Sequence, residues 1–334
     1  MGRQNADPGA IARDRREQYS EGMQTPDPGN PLKIGTRGSP LAVAQAIETR
    51  SLLMAAHGLP EAAFEITVIK TTADRVQDRA LSEIGGKGLF TKELEEALLS
   101  RTIDIAVHCV KDTPTLQPAG LVQDCYMKRE DPRDAFISHH WRNLRDLPQA
   151  AVVGTSSVRR AAQLLHRRPD LQVTNFRGNV QSRLAKLADG VAAATFLAMA
   201  GLNRLGMHEI AGNPIDADDM LPAIGQGALV IERRIDDERS GELVAPLRHL
   251  PTEQQMQAER AFLATLDGSC RTPIAGLAEL DGSRIRLRGE ILRLDGSEVI
   301  AAEASADVAD ATKLGHDLAR QLLQKAPADL LSWR

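Results

Sequence analysis

The run LDGSCRTP over residues 266–273 sets a lone cysteine, Cys270, among glycine, serine, arginine and proline. Glycine and proline punctuate loops, so this thiol is read as something other than core filler, although free cysteine is commonly buried. The other residues with chemical potential are basic and stand where helices begin. Arg37 precedes a Ser39-Pro40 helix start, Lys87 lies in the loop Gly85-Gly86-Lys87-Gly88, and Arg159-Arg160 follow Gly154-Thr155-Ser156-Ser157. A helix N-terminus carries unsatisfied N–H groups and positive partial charge, so a cation there costs about 0.3–1 kcal/mol unless an anion is bound. Such sites suit phosphate or carboxylate; each alone could equally be a solvated surface residue, but the feature recurs in three strand-to-helix loops.

Arg177 follows a further strand, Arg183 enters the next helix, and Arg204 closes Ala200-Gly201-Leu202-Asn203. A guanidinium fork matches a carboxylate bidentately, so converging arginines point to a ligand with several carboxylates. The GGKG loop lacks the spacing of a nucleotide-binding P-loop. Asp112, in VHCVKDTP just past a predicted strand, is open to two readings: a loop carboxylate capping local N–H groups, or a charged group of the site. His108 and Cys109 are read as core or near-core, without chemistry.

The elements that must position these residues alternate. Strands are expected at 32–35, 64–69 and 103–107, with helices from Ser39-Pro40 to about Gly58 and over 91–100. After Asp131-Pro132-Arg133-Asp134 the pattern restarts: strands at 151–154 and 171–174, helices over 157–167 and 180–188. Alternating strand and helix implies mostly parallel sheets, with ligands at the carboxyl ends of the strands. From about Thr252 the character changes: a helix to Leu266, the Cys270 loop, alternating strands at 284–288 and 298–300, and a closing helix over 314–323. That segment reads as a small α+β domain.

The chain has 334 residues, enough for two or three domains with their own cores. Its net charge of −4 offers no general attraction to nucleic acid or anionic membranes, and 3% aromatic residues argue against base stacking. Cys109, Cys125 and Cys270 show no metal-ligand spacing and are an odd, sparse set, so no metal is expected and a reducing cytoplasm is. Residues 1–31 have no apolar h-region and are read as a disordered extension rather than a secretion signal. No segment is an uninterrupted apolar run long enough to span a bilayer.

Taken together, IGTRGSPLA from Ile34, GGKGLFTKELEEALL from Gly85, AVHCVKDTP from Ala106, EDPRDAF from Glu130, VGTSSVRR from Val153, FRGNV from Phe176, LAMAGLNRLG from Leu197, LPAIGQGAL from Leu221, ERAFL from Glu259 and GSCRTPI from Gly268 resemble the porphobilinogen deaminase family over about residues 32–275. Two positions depart from the family pattern: Ala73, where a glycine is usual, and Ala193, where an aspartate is usual. The first puts Asp74 in doubt as a site residue.

The resemblance implies two α/β domains similar to periplasmic binding proteins plus a small C-terminal α+β domain. Domain 1 would comprise 32–130 and 225–246, domain 2 131–224, and domain 3 247–334. It implies a transferase that joins four porphobilinogen units into hydroxymethylbilane with release of ammonia, in tetrapyrrole biosynthesis. The primer would be a dipyrromethane cofactor held through a thioether to Cys270. Loss of ammonia from an aminomethylpyrrole leaves an electrophilic carbon that a soft thiolate can attack, and a thioether on a loop is a durable, movable tether.

By the same resemblance Asp112 is catalytic, contacting pyrrole N–H groups and offsetting developing positive charge. Lys111, Asp112, Thr155, Ser156, Ser157, Arg159, Arg160, Arg183 and Gly201 would hold the cofactor. Arg37, Ser39, Lys87, Phe90, Arg177, Arg204 and Gln226 would hold the incoming ring. A monomer is expected, with porphobilinogen as substrate and a product passed to a downstream tetrapyrrole enzyme. Two rival readings are a non-catalytic binding protein for an organic polycarboxylate and a cysteine hydrolase using His108 as base. A covalent adduct on Cys270 discriminates against both.

Overall fold

The computed structural model describes residues 25–71, 90–269 and 271–331. Cys270, Lys87, Ala73, Asp74 and the first 24 residues of the expected N-terminal extension therefore lie outside the described residues. Order begins before Leu32: Asp27 Oδ1 accepts from the N–H groups of Gly29 at 2.6 Å and Asn30 at 3.0 Å, closing a turn.

Strand β1 (Leu32–Arg37) runs straight into the first helix, α1 (Pro40–His57). The start follows from local chemistry: the Ser39 side chain accepts from Ala42 N–H, Pro40 supplies a fixed φ, and Gly58 ends the helix at φ 65°. β2 (Phe64–Ile69) pairs parallel with β1, as does β3 (Ile105–Cys109), which follows α2 (Lys92–Leu99). β3 begins two residues later than its sequence suggests. Cys109 thus ends the strand, and Lys111-Asp112 turn away from the sheet in a single 3-10 turn, Val110–Asp112.

β4 (Leu121–Tyr126) completes this side of the molecule only with help from much later in the chain. A strand at Leu229–Arg234, β9, inserts between β3 and β4 and runs antiparallel to both. The five-stranded order is β2-β1-β3-β9-β4, so this sheet is mixed, where strand–helix alternation predicts mostly parallel. Leu32, Ile34, Ile105, Leu229 and Ile231 pack under Ala46 and Leu53 of α1.

Between those segments lies a second sheet, β5 (Asp134–Ile137), β6 (Val152–Gly154), β7 (Gln172–Thr174) and β8 (Ala194–Ala198), in the order β5-β8-β6-β7. Only β5 is antiparallel to its neighbour. Its helices are α3 (Val158–Arg167), N-capped by Ser157; α4 (Val180–Ala188), N-capped by Asn179; and the short α5 (Met199–Arg204). Phe136 and Phe196 meet edge to face at 6.3 Å in its core.

After β9, α6 (Glu238–Val244) and α7 (Leu250–Thr265) lead into the antiparallel sheet β10 (Ile274–Asp281), β11 (Arg284–Leu292) and β12 (Val299–Asp307), backed by α8 (Ala311–Lys325). Phe262, Ile285, Leu287 and Leu318 form its core. Among the described residues no helix is long and apolar enough to cross a membrane.

Candidate functional site

The loops beyond β1, β3, β6, β7 and β8, together with the segment entering β9 and residues flanking position 270, converge on one cavity of about 780 Å³. This is the strand-end position expected of α/β sheets. Arg37, Ser39, Phe90, Lys111, Asp112, Ser156, Ser157, Arg159, Arg160, Arg177, Arg183, Gly201, Arg204 and Gln226 all line it. Residues separated by up to 189 positions are thereby brought to one surface.

One expected residue stands apart. Thr155 is buried behind the wall, where its Oγ1 accepts from Ser157 N–H at 3.1 Å and so shapes the turn that caps α3. Ser156 faces the cavity while donating to Asn175 Oδ1 at 2.5 Å and accepting from Phe176 N–H at 3.0 Å. Ser269 and Thr272, on either side of position 270, line the cavity, and Thr272 N–H donates to Ser269 O at 3.0 Å.

The electrostatics are lopsided. Among the described lining residues, eight are lysine or arginine and one, Asp112, is a carboxylate. Burial lowers the pKa of Lys111, with Asp112 opposing the shift. Burial, then repulsion from Arg160 and Arg177, brings Arg183 down to about 10. Arg183 donates through Nε to Gly178 O at 2.9 Å. The Nε atoms of Arg159 and Arg160 and Nη1 of Arg177 are buried without a hydrogen-bond partner among the described residues. Buried donors of this kind cost about 1–3 kcal/mol each when unmet, and eight lining cations against one carboxylate leave the site short of negative charge. The Asp112 carboxylate has no hydrogen-bond partner among the described residues, against the reading of it as a loop cap.

Several expected ligand-binding groups are partly engaged by the protein. Arg159 and Arg160 do not wait for an external anion with every donor: Nη2 of each meets Asp134, at 2.8 and 2.7 Å. Arg204 donates to Glu48 Oε2 at 2.9 Å and to Gly227 O at 3.3 Å. Gln226 donates to Pro132 O at 2.7 Å and Asp134 Oδ1 at 2.8 Å and accepts from Lys111 Nζ at 3.2 Å. The Arg37 guanidinium lies 4.6 Å from the Phe90 ring centroid, a cation–π contact.

Asp134 was not singled out by the sequence, although an aspartate opening the apolar strand Ala135-Phe136-Ile137 is the kind of signal that marks a partnered buried charge. Cys109, read as near-core, lines the cavity and accepts from Gln45 Nε2 at 3.0 Å; burial pushes its thiol pKa up. His108 is buried, 3.0 Å from Glu232 Oε2, and does not line the cavity, which leaves the hydrolase reading without its base.

Two family models match in succession: porphobilinogen deaminase, dipyromethane cofactor binding domain, over residues 32–242, and porphobilinogen deaminase, C-terminal domain, over residues 254–324. The porphobilinogen deaminase of Paracoccus denitrificans (strain Pd 1222) is 63% identical over 310 residues, covering 93% of this chain and 99% of that one. Among solved structures, a TRAP periplasmic solute binding protein from Desulfovibrio salexigens DSM2638 aligns with a TM-score of 0.40 and 10% identity, over 66% of this chain and 73% of that one. A nutrient binding protein from Burkholderia cenocepacia, bound to methionine, aligns with a TM-score of 0.38 and 14% identity, over 70% of this chain and 95% of that one.

Proposed function

The chain belongs to the porphobilinogen deaminase family, and from that premise we propose how its own residues carry out the family's reaction, the joining of four porphobilinogen units into hydroxymethylbilane with release of ammonia. The observation that carries the assignment is the excess of cations around the cavity, eight lysines and arginines against the single carboxylate of Asp112 among the described lining residues. Those cations fit a dipyrromethane, whose carboxylate side chains supply the compensating negative charge.

Arg159, Arg160, Arg183 and Lys111 hold the cofactor, with Ser156 and Ser157 at the start of α3 and Gly201 leaving room beside Leu41. Cys270 tethers it through a thioether; Ser269 and Thr272, either side of it in sequence, line the cavity. When bound, the dipyrromethane supplies the nucleophilic pyrrole carbon from which the chain is extended. Arg37, braced on Phe90, with Ser39, Arg177 and Arg204, orients the carboxylates of the incoming porphobilinogen, and the family resemblance adds Lys87, which lies outside the described residues. Asp112 accepts from pyrrole N–H and lowers the cost of the positive charge that develops as ammonia leaves. Its carboxylate is available for this because no donor among the described residues claims it.

We assign 32–130 and 225–246 to domain 1, 131–224 to domain 2 and 247–334 to domain 3, with β9 as the returning strand of domain 1. The protein acts as a monomer in the cytoplasm and passes its product to the next tetrapyrrole enzyme. The test is the intact mass of the purified protein together with ammonia release on adding porphobilinogen. A dipyrromethane-sized increment on Cys270 and stoichiometric ammonia are expected; an unmodified, inactive protein would overturn the assignment.

A further inference from the structure

The cavity's basic wall rests on one carboxylate that does not face the cavity. Asp134, at the start of β5, is fully buried. Its Oδ2 accepts from Arg159 Nη2 at 2.8 Å, and its Oδ1 accepts from Arg160 Nη2 at 2.7 Å and from Gln226 Nε2 at 2.8 Å. The second Gln226 N–H goes to Pro132 O, and its Oε1 accepts from Lys111 Nζ. The amide has one possible orientation: turned over, it would set its oxygen against two acceptors and its N–H groups against an ammonium.

The backbone is built to hold this amide. Gly225 and Gly227 both have positive φ, 71° and 87°. A β-carbon at 225 would come within 2.6 Å of Val110 Cγ1, and one at 227 within 2.4 Å of Glu130 O. Only glycine on each side lets the loop enter the gap between the Lys111 turn and the segment leading to Asp134.

We propose that Asp134 is a positioning residue: from one buried carboxylate it spaces the guanidiniums of Arg159 and Arg160 and, through Gln226, fixes Lys111 beside Asp112. Two adjacent guanidiniums without an anion would repel each other and splay. A carboxylate taking Nη2 from each locks their separation while both residues line the cavity. The arginines hold Asp134 well below the usual carboxylate range, so it stays ionised whenever the site works. Gln226 carries the same register to the first sheet, and the reacting centre and the cofactor anchor then move as one piece.

This inference rests on the cofactor reading of the site, and the experiment separates the two. Asp134→Asn and Gln226→Met are prepared beside wild type, with adduct occupancy by intact mass, thermal midpoint, and single-turnover rate in adduct-bearing protein. Wild type without any adduct would defeat the cofactor reading itself. With wild type carrying it, Gln226→Met keeps both ion pairs and therefore the adduct. Its rate falls about 10- to 100-fold while half-saturating porphobilinogen changes by less than about threefold. Asp134→Asn loses adduct occupancy and rate together. Inorganic phosphate then raises its thermal midpoint more than that of wild type, because the two guanidiniums have no internal anion. If Asp134→Asn does not fold, Gln226→Met decides alone. A rate within threefold of wild type, or loss of the adduct in that variant, overturns the proposal, as does an Asp134→Asn protein with wild-type adduct and rate.

Discussion

Arg129 and Glu259 form a bidentate ion pair, at 2.7 and 3.2 Å, in which the side chains are 6% and 0% exposed. The same carboxylate accepts from Gly225 N–H at 2.7 Å and from Ala278 N–H at 2.9 Å. One side chain of α7 therefore ties the segment leaving β4, the segment entering β9 and the antiparallel sheet. Removing one partner of a buried pair strands the other charge, at a cost of about 3–5 kcal/mol. Arg129→Leu is expected to lose stability in that range in urea unfolding, and Glu259→Gln at least as much, since two backbone donors also lose a charged acceptor. A loss below about 1 kcal/mol in both would show that the three segments are held by other contacts.

Cys270→Ser should fold and carry no cofactor. At neutral pH a thiolate is accessible whereas an alkoxide is not, and the hydroxyl cannot form the tether. Cys109 and Cys125 are poor substitutes because burial raises both thiols, Cys125 to about 12. Intact-mass measurement of the three single cysteine-to-serine variants checks this. An adduct that survives in Cys270→Ser, or disappears only in Cys109→Ser, would move the attachment site.

The Cys125 thiol also predicts a pH dependence of stability. Its Sγ donates to Val244 O at 3.2 Å inside the first core, and its folded pKa lies above the unfolded value of about 8.5. The unfolded chain therefore loses this proton first. The contribution is fully present below about pH 8.5 and declines as pH rises toward the folded value, by roughly 1.4 kcal/mol per unit. Under reducing conditions, wild type should lose about 2–3 kcal/mol more than Cys125→Ala between pH 8 and 10.5. Parallel pH curves for the two proteins would contradict the assignment of the shift to this thiol.

The two arginine groups should separate in their effects. Arg160→Leu removes an Asp134 partner and a donor to Phe196 O, so adduct occupancy and thermal midpoint should both fall. Arg37→Leu removes a cavity-lining group stacked on Phe90 and distant in sequence from the Asp134 cluster, and should spare the adduct. A charge-assisted hydrogen bond is worth about 1.5–3 kcal/mol, which predicts a rise of about 10- to 100-fold in half-saturating porphobilinogen. Identical behaviour of both variants would erase the distinction between cofactor and substrate arginines.

What the sequence reveals and what it hides follow from the range of the interactions. The starts of α1 and α3 are legible because their caps are local: Ser39 serves Ala42, and Ser157 serves Arg160. The strand 64–69 is legible from its own alternation. β9 is not, because Leu229–Ile231 is a short apolar run whose place between β3 and β4 depends on partners more than 100 positions away. The arginines of the site are legible by type and by their loops, yet their sharing of Asp134 is not. That carboxylate is separated from Arg159 by 25 positions and from Gln226 by 92, and only the folded sheets bring the three together. The same reason conceals the role of Gln226, whose three side-chain hydrogen bonds are all to the protein.

Asp112→Asn isolates the chemistry that the cavity leaves to one carboxylate. The substitution preserves size and can still accept a hydrogen bond from pyrrole N–H, while removing the only negative charge among the described lining residues. If Asp112 acts by stabilising developing positive charge, both ammonia release and chain extension should slow. A preorganised electrostatic contact of this kind is worth about 3–4 kcal/mol, or two to three decades in rate. Loss of a local cap would have a far smaller effect, since asparagine caps nearly as well as aspartate. Asp112 also opposes the lowering of the Lys111 and Arg183 pKa values; without it the basic wall is still less compensated, so carboxylate binding should hold or tighten while the chemical step fails. The measurement is single turnover in protein shown by mass to carry the adduct, following ammonia and chain extension separately. Rates within about threefold of wild type for both steps would remove Asp112 from the mechanism. A fall of two decades or more, with half-saturating substrate unchanged or lower, is the signature of a charge needed in the transition state rather than in the ground-state complex.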